Sequence, residues 1–418
     1  MNVEPTMKRH ITLIFAFASL TTSLISKPQT WEQWRGPSRD GKIHDEAAKW
    51  PATLSGIKTT WTKKLNEGYS SPIVTEDHVF TVETKDKSDE IVRAFDRASG
   101  KQLWEISWKG AMKVPFFARK NGSWVRSTPV YANGTLYVGG IRELLVAIDV
   151  KTGKEKWRVD FVEREKSGVP TFGFVSSPIV DGEFLYVQAG GEITKLRCSD
   201  GKKVWGSMKD ARAMYGSAFS SLVIAEVAGK NQLLAQTREE LAGLELATGK
   251  VMWKYKVKAF RGMNILTPTI IGDTLFTSTY GGGSSLFQIS TGSEGMSVSK
   301  TWSHKTEGYM SSPLTHEGHV YMHGRDKRFH CFEAKTGELK WSSVKKFSDY
   351  ASLVINKDKA LALTADGNLL LIDLDPVAFK LLDTKKVSDS STWAHLAVCG
   401  EELFVRELKG LIKLEWPQ

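Results

Sequence analysis

From residue 58 onward the chain alternates apolar and polar positions with a period of two, in short runs such as His78-Val79-Phe80-Thr81-Val82, Thr135-Leu136-Tyr137-Val138 and Phe184-Leu185-Tyr186-Val187. The same pattern returns at Thr274-Leu275-Phe276-Thr277, His319-Val320-Tyr321-Met322 and Leu403-Phe404-Val405. Period-two alternation rich in Val, Tyr, Phe and Thr predicts β-strands with one face in a core, and the Gly- and Pro-containing segments between runs predict reversals. Nowhere in this region does a helical period persist, so the expectation is an all-β chain of many short strands.

Two phrases recur around these strands. The first reads Ala94-Phe95-Asp96-Arg97-Ala98-Ser99-Gly100-Lys101-Gln102-Leu103-Trp104 and returns in recognisable form ending at Trp157, Trp205, Trp253 and Trp341. It reads as a hairpin: a strand ends at the acid, Gly supplies the positive φ of the turn, and the next strand carries the tryptophan. Degenerate copies lie near Trp302, and near Ile372-Asp373-Leu374-Asp375, where Pro376 replaces Thr-Gly. The second phrase precedes each unit: Ser70-Ser71-Pro72, Ser127-Thr128-Pro129, Ser176-Ser177-Pro178, Ser220-Ser221-Leu222, Leu266-Thr267-Pro268, Ser311-Ser312-Pro313, Ala351-Ser352-Leu353 and Ala394-His395-Leu396. Intervals of 40 to 57 residues between copies are the length of a four-stranded propeller blade. The last copy is followed by too little chain for four strands, whereas Lys58-Thr59-Thr60-Trp61-Thr62-Lys63-Lys64-Leu65 is a spare outer strand at the other end. The fold expected is an eight-bladed β-propeller of four-stranded antiparallel blades, closed by pairing of the N-terminal strand with the C-terminal blade. Seven blades is the rival count, because the repeats after Trp253 are weak.

These phrases resemble the tryptophan-docking repeats of the PQQ-dependent (pyrroloquinoline-quinone) alcohol dehydrogenases and of the outer-membrane assembly factor BamB family. The resemblance covers nearly all of the chain after its first segment and extends to the preamble Trp31-Glu32-Gln33-Trp34-Arg35-Gly36-Pro37-Ser38-Arg39-Asp40-Gly41. It implies that the tryptophan of one motif stacks on the glycine turn of a neighbouring blade, which marks Gly100, Trp104, Gly153, Trp157, Gly201, Trp205, Gly249, Trp253, Gly337 and Trp341 as structural docking residues. For the dehydrogenase branch it also implies adjacent cysteines over the quinone, a Ca²⁺ held by carboxylate and amide oxygens, and a catalytic Asp. This chain has no Cys-Cys pair, so no cofactor, no metal and no catalytic residue is expected.

Composition changes the picture in three places. The segment Met7-Lys8-Arg9-His10, the apolar stretch Ile11 to Leu20 and the small residues up to Lys27-Pro28 form a secretory signal pattern too short to span a membrane. This gives residues 1–26 as signal peptide, 27–57 as an N-terminal extension and 58–418 as the propeller, with a periplasmic or secreted location. Cys198, Cys331 and Cys399 exclude a disulfide scaffold and read as free thiols. The excess of 57 Lys+Arg over 47 Asp+Glu is compatible with anionic partners, but no basic run is long enough for a nucleic-acid patch, and the plainer reading is basic residues scattered over a solvated surface.

Candidate chemistry concentrates in loop length. The intervals Trp104 to Pro129 and Trp157 to Pro178 are about twice that from Trp61 to Pro72, and in a propeller these connections surround one mouth of the channel. The longest carries Phe116, Phe117, Arg119, Lys120, Trp124 and Arg126, aromatic residues beside cations, which reads either as a partner-contacting surface or as a plug that covers the channel mouth. Arg212, Tyr215 and Arg261 occupy equivalent connections in later blades. Function is therefore expected to be non-catalytic: an exported monomer binding a protein or envelope polymer, within a membrane-associated complex but with no anchor of its own. A PQQ-dependent oxidoreductase and a carbohydrate-binding propeller are the alternatives.

Overall fold

Eight sheets of four antiparallel strands make up the computed structural model, which describes Met1 and residues 29–45, 50–116, 122–210 and 219–416. Seven blades are contiguous, at 73–109, 130–160, 179–207, 223–256, 269–304, 314–342 and 351–386. The eighth takes three strands from 397–415 and its fourth from the start of the chain, Lys58–Lys64, which runs antiparallel to Gly410–Glu415 with Lys58 opposite Glu415. The ring thus has eight blades, closed as its pattern predicts, and no sheet is left with a free inner or outer end for want of a strand. The segment read as a signal peptide lies outside the described residues, apart from Met1.

Within each blade the strands run from the channel outward, here a to d. Connections from d to the next a, together with the b–c turns, gather at one mouth. The a–b and c–d turns gather at the other. Apolar clusters lie between sheets, as where Phe80, Val82 and Val92 of the first blade meet Leu136, Val138 and Val146 of the second. Both faces of the b and c strands are therefore largely buried.

Every outer strand carries a β-bulge at the same register. In the first blade Ala94 is opposite Trp104 but Phe95 is opposite Gln102, and the equivalent slip recurs in all eight sheets. A bulge adds local twist and re-aims the side chain beside it. Here that residue is a tryptophan in seven blades, and in six of them the indole docks on the next blade. Trp104 Nε1 donates to Val150 O at 2.8 Å, Trp157 to Cys198 O at 2.9 Å and Trp205 to Leu246 O at 3.2 Å. Trp61 reaches Arg97 O, Trp302 reaches Ala334 O and Trp341 reaches Asp375 O. Gly153 has φ +69°, and a Cβ there would lie 2.7 Å from the Trp104 ring; Gly100, Gly201, Gly249 and Gly337 stand in the same relation to Trp61, Trp157, Trp205 and Trp302. Both the turn and the stack therefore require glycine.

Two junctions depart from this rule. Trp253 does not dock forward: the c–d hairpin it faces is lengthened over 283–304 and has no glycine turn at the docking register. Its Nε1 instead donates to Gln232 Oε1 of its own blade at 2.7 Å, above Gly243, whose lack of a side chain admits the ring. In the seventh blade the bulge position is Asp383, whose Oδ2 accepts from Leu54 N at 2.7 Å. Residues Leu54 and Ile57 of the N-terminal extension fill the space that an indole occupies elsewhere, Trp50 packs on Trp416, and Lys385 Nζ donates to Ile57 O.

Candidate ligand channel and its basic face

The eight copies of the Ser/Thr signature stand around the channel axis. Its middle residue turns inward in every blade, as Ser71, Thr128, Ser177, Ser221, Thr267, Ser312, Ser352 and His395. From the eighth blade to the fifth these residues are linked in sequence. His395 N donates to Ser71 Oγ at 2.8 Å, Ser71 N to Thr128 Oγ1 at 3.1 Å, Thr128 N to Ser177 Oγ at 3.1 Å, Ser177 N to Ser221 Oγ at 3.0 Å and Ser221 N to Thr267 Oγ1 at 3.2 Å. Small hydroxyl residues recur because they satisfy the N–H of an adjacent inner strand without filling the channel.

Two residues earlier in each copy lies a second ring, nearer the mouth bearing the d–a connections. It is mostly apolar or aromatic: Tyr69, Val175, Phe219, Ile265, Met310, Tyr350 and Trp393. Tyr350 stacks on Trp393 with centroids 5.4 Å apart, and Tyr69 lies 6.1 Å from Trp393. Its one cation is Arg126. Together the rings enclose a cavity of about 200 Å³.

The opposite end is closed by the N-terminal extension. Trp31 bridges to Val74, Tyr131 N donates to Glu32 O, and Ile43 N donates to Ile355 O, so the segment crosses from the first blades to the seventh. Trp34 forms the cavity floor, edge-on to His395 at 6.2 Å, with the guanidiniums of Arg35 and Arg39 at 5.5 and 5.6 Å from its ring centroid. Arg39 donates to Pro178 O and Ser177 O at 2.8 and 3.0 Å, and Arg35 to Pro313 O. Burial pushes Arg35 down to about 10 and Arg39 to about 9, which leaves both charged at neutral pH, and it pushes His395 to about 3, so its imidazole is neutral.

At the open mouth, two buried carboxyls staple neighbouring blades. Glu90 accepts from Ile141 N of the second blade at 2.6 Å and from Trp108 Nε1 at 2.8 Å; Glu143 accepts from Gly190 N of the third. Desolvation outweighs these bonds and raises both carboxyls to about 7.

The residues marked in the sequence as partner-contacting separate here. Phe116 is 78% exposed on the rim. Arg261 also lies there, beside Phe260, which is 45% exposed and 5.1 Å from the Arg261 guanidinium. Trp124 and Arg126 turn inward: Trp124 meets Tyr69 edge-on at 5.5 Å, and Arg126 lines the cavity. Phe117, Arg119, Lys120, Arg212 and Tyr215 lie outside the described residues. The sequence reading missed the aromatic ring and the Trp34 floor. Aligning the repeats one residue before each Ser/Thr signature, where Tyr69, Phe219, Met310, Tyr350 and Trp393 fall, was the signal available for the ring.

A calcium-held quinone needs carboxylate or amide oxygens in the channel. Among the described lining residues there is no Asp, Glu, Asn or Gln, and among the described residues no group of His, Cys, Asp and Glu is arranged to hold a metal. The residues present do not fit that group.

The fold and site define a closed propeller with tryptophan docking, a plugged channel and one mouth rimmed by long connections. A family model described as outer membrane protein assembly factor BamB matches residues 88–343 and 299–376, and the chain belongs to that family. It is 22% identical over 333 residues to the BamB of Moranella endobia, covering 77% of this chain and 79% of that one. It is 25% identical over 227 residues to the BamB of Nitrosomonas eutropha, covering 51% and 50%. Among solved structures, BamB from Moraxella catarrhalis superposes with a TM-score of 0.64 at 15% identity, covering 87% of this chain and 98% of that one. A quinohemoprotein alcohol dehydrogenase from Pseudomonas putida HK5 gives 0.61 at 12% identity, covering 93% and 80%. Those two likenesses speak to the fold.

Proposed function

We propose that this protein is a non-catalytic binding propeller of the bacterial envelope that captures an acidic protein or envelope polymer at the mouth formed by its d–a and b–c connections. The observation that carries the reading is the pairing of exposed apolar side chains with cations on that rim. Phe116, Phe260 and Val344, the last 93% exposed, stand there with Lys113, Arg261, Lys345 and Lys346. Apolar anchors ringed by basic residues suit a partner that offers apolar groups between acids, and the positive field steers such a partner to the rim. Membership in the BamB family supports a protein partner within an envelope assembly, and a signal-like first segment supports export.

The test is comparative capture from envelope extracts. The wild-type chain is expected to retain a partner that the variant Phe260→Asp with Lys345→Glu and Lys346→Glu loses, with unchanged thermal unfolding. Equal retention by a folded variant contradicts the reading.

A further inference from the structure

The channel is chemically unlike the rim, and the two rings that line it ask for a ligand of their own. About 200 Å³ is smaller than the roughly 300–1,000 Å³ of sites for drug-sized molecules, so the space suits a single six-membered ring rather than a fused system. Three features limit what that ring can be. Tyr350 and Trp393, stacked and nearly parallel at 8°, form an aromatic wall of the cavity with Trp34 as floor. Below them, Ser71, Thr128, Ser177 and Ser221 each accept one amide N–H, and a hydroxyl engaged in that way still has a proton and a lone pair for a ligand. Arg126 is the one cation in the upper ring, and among the described lining residues no Asp or Glu neutralises it. Its Nη2 donates to Gly122 O at 2.7 Å, while its buried Nε has no partner.

We infer that the channel is a binding site for one acidic sugar residue, a uronate, held by aromatic stacking, the hydroxyl ring and Arg126. The C–H bonds on one face of a pyranose carry the partial positive charge that the aromatic face attracts. Its hydroxyls match the ring of Ser and Thr, and its carboxylate completes the guanidinium, for which a planar carboxylate is the preferred partner. Burial lowers Arg126 only to about 10, so it is charged at neutral pH. An aromatic carboxylate would satisfy the stacking and the guanidinium but leave the hydroxyl ring unused. The inference rests on the rim reading only in that an acidic glycan is one of the polymers the rim would capture; the channel would then take a terminal residue of it.

The test is tryptophan fluorescence of the intact protein, titrated with galacturonate, galactose and benzoate. Galacturonate is expected to give a saturable change through Trp34 and Trp393, with galactose and benzoate each at least tenfold weaker. Arg126→Met is expected to abolish the preference for galacturonate over galactose, and Arg126→Lys to retain part of it, with folding of both checked by thermal unfolding. No saturable response to galacturonate, benzoate binding as tightly, or an unchanged preference in folded Arg126→Met each overturns the proposal. The rim variant separates the two readings: if it still binds galacturonate after losing partner capture, the channel site stands independently, and if galacturonate fails while capture persists, only the channel site falls.

Discussion

At single positions, the structure ties stability to groups that cannot change size or charge freely. Gly153 combines φ +69° with the Trp104 ring 2.7 Å from where a Cβ would sit. Gly153→Ala is therefore expected to cost about 1–3 kcal/mol in urea unfolding, more than the same change at Gly182, which has positive φ but open space around it. The Glu90 carboxyl supplies a pH signature. Its folded value near 7 lies above the ordinary carboxyl value of 4.5, so the folded state binds the extra proton between those values. The stability it contributes is fully present below pH 4.5 and is lost as pH rises through 7. Glu90→Gln removes the titration, so variant stability relative to wild type should climb between pH 4.5 and 7, by up to about 3 kcal/mol at 1.36 kcal/mol per unit. Urea melts of both proteins at pH 4.5, 6 and 8 read this directly, because any constant offset from the amide cancels. A flat difference would show that Glu90 is not buried as described.

Among the elements, the N-terminal extension does two jobs: it floors the channel and stands in for the missing docking residue of the seventh blade. Arg39 satisfies two inner-strand carbonyls at once. Arg39→Ala leaves both without this donor and removes a guanidinium from Trp34, so a fall of roughly 1–3 kcal/mol in stability is expected. Faster acrylamide quenching of channel tryptophans should accompany it, since the floor loosens. Much of this architecture was legible beforehand. Repeat spacing, the Gly-turn-Trp phrase and the spare strand Lys58–Lys64 all follow from local pattern, because a blade is a local unit. Trp253 was not: its motif is intact, but docking depends on the next blade, whose hairpin is stretched, and on Gly243 and Gln232, which no repeat alignment marks. Asp383 was illegible for a related reason, as its partner Leu54 lies more than 300 residues away in the chain. The sequence left the segment carrying Phe116 to Arg126 open between a contact surface and a plug over the channel mouth, since a loop rich in aromatics and cations has the same composition either way; the structure exposes Phe116 and turns Trp124 and Arg126 inward.

Taken whole, the molecule is a ring with one end sealed and one end equipped for contact. Closure through Lys58–Lys64 couples the two termini of the domain, so removing residues 29–64 should abolish cooperative unfolding rather than merely lower the melting temperature. If partners bind the rim as proposed, capture should weaken as ionic strength rises, because the screening length shortens to about 8 Å at physiological salt. The claim on which everything functional depends is that partners meet the mouth of the d–a and b–c connections and not the opposite face. It is tested most directly by placing a photoreactive phenylalanine at Phe260 on the rim, or at Asn133 in an a–b turn, and irradiating each protein in envelope extract. The account predicts a discrete cross-linked species from position 260 and none from position 133. Adducts from position 133 alone, or equally from both, would contradict it.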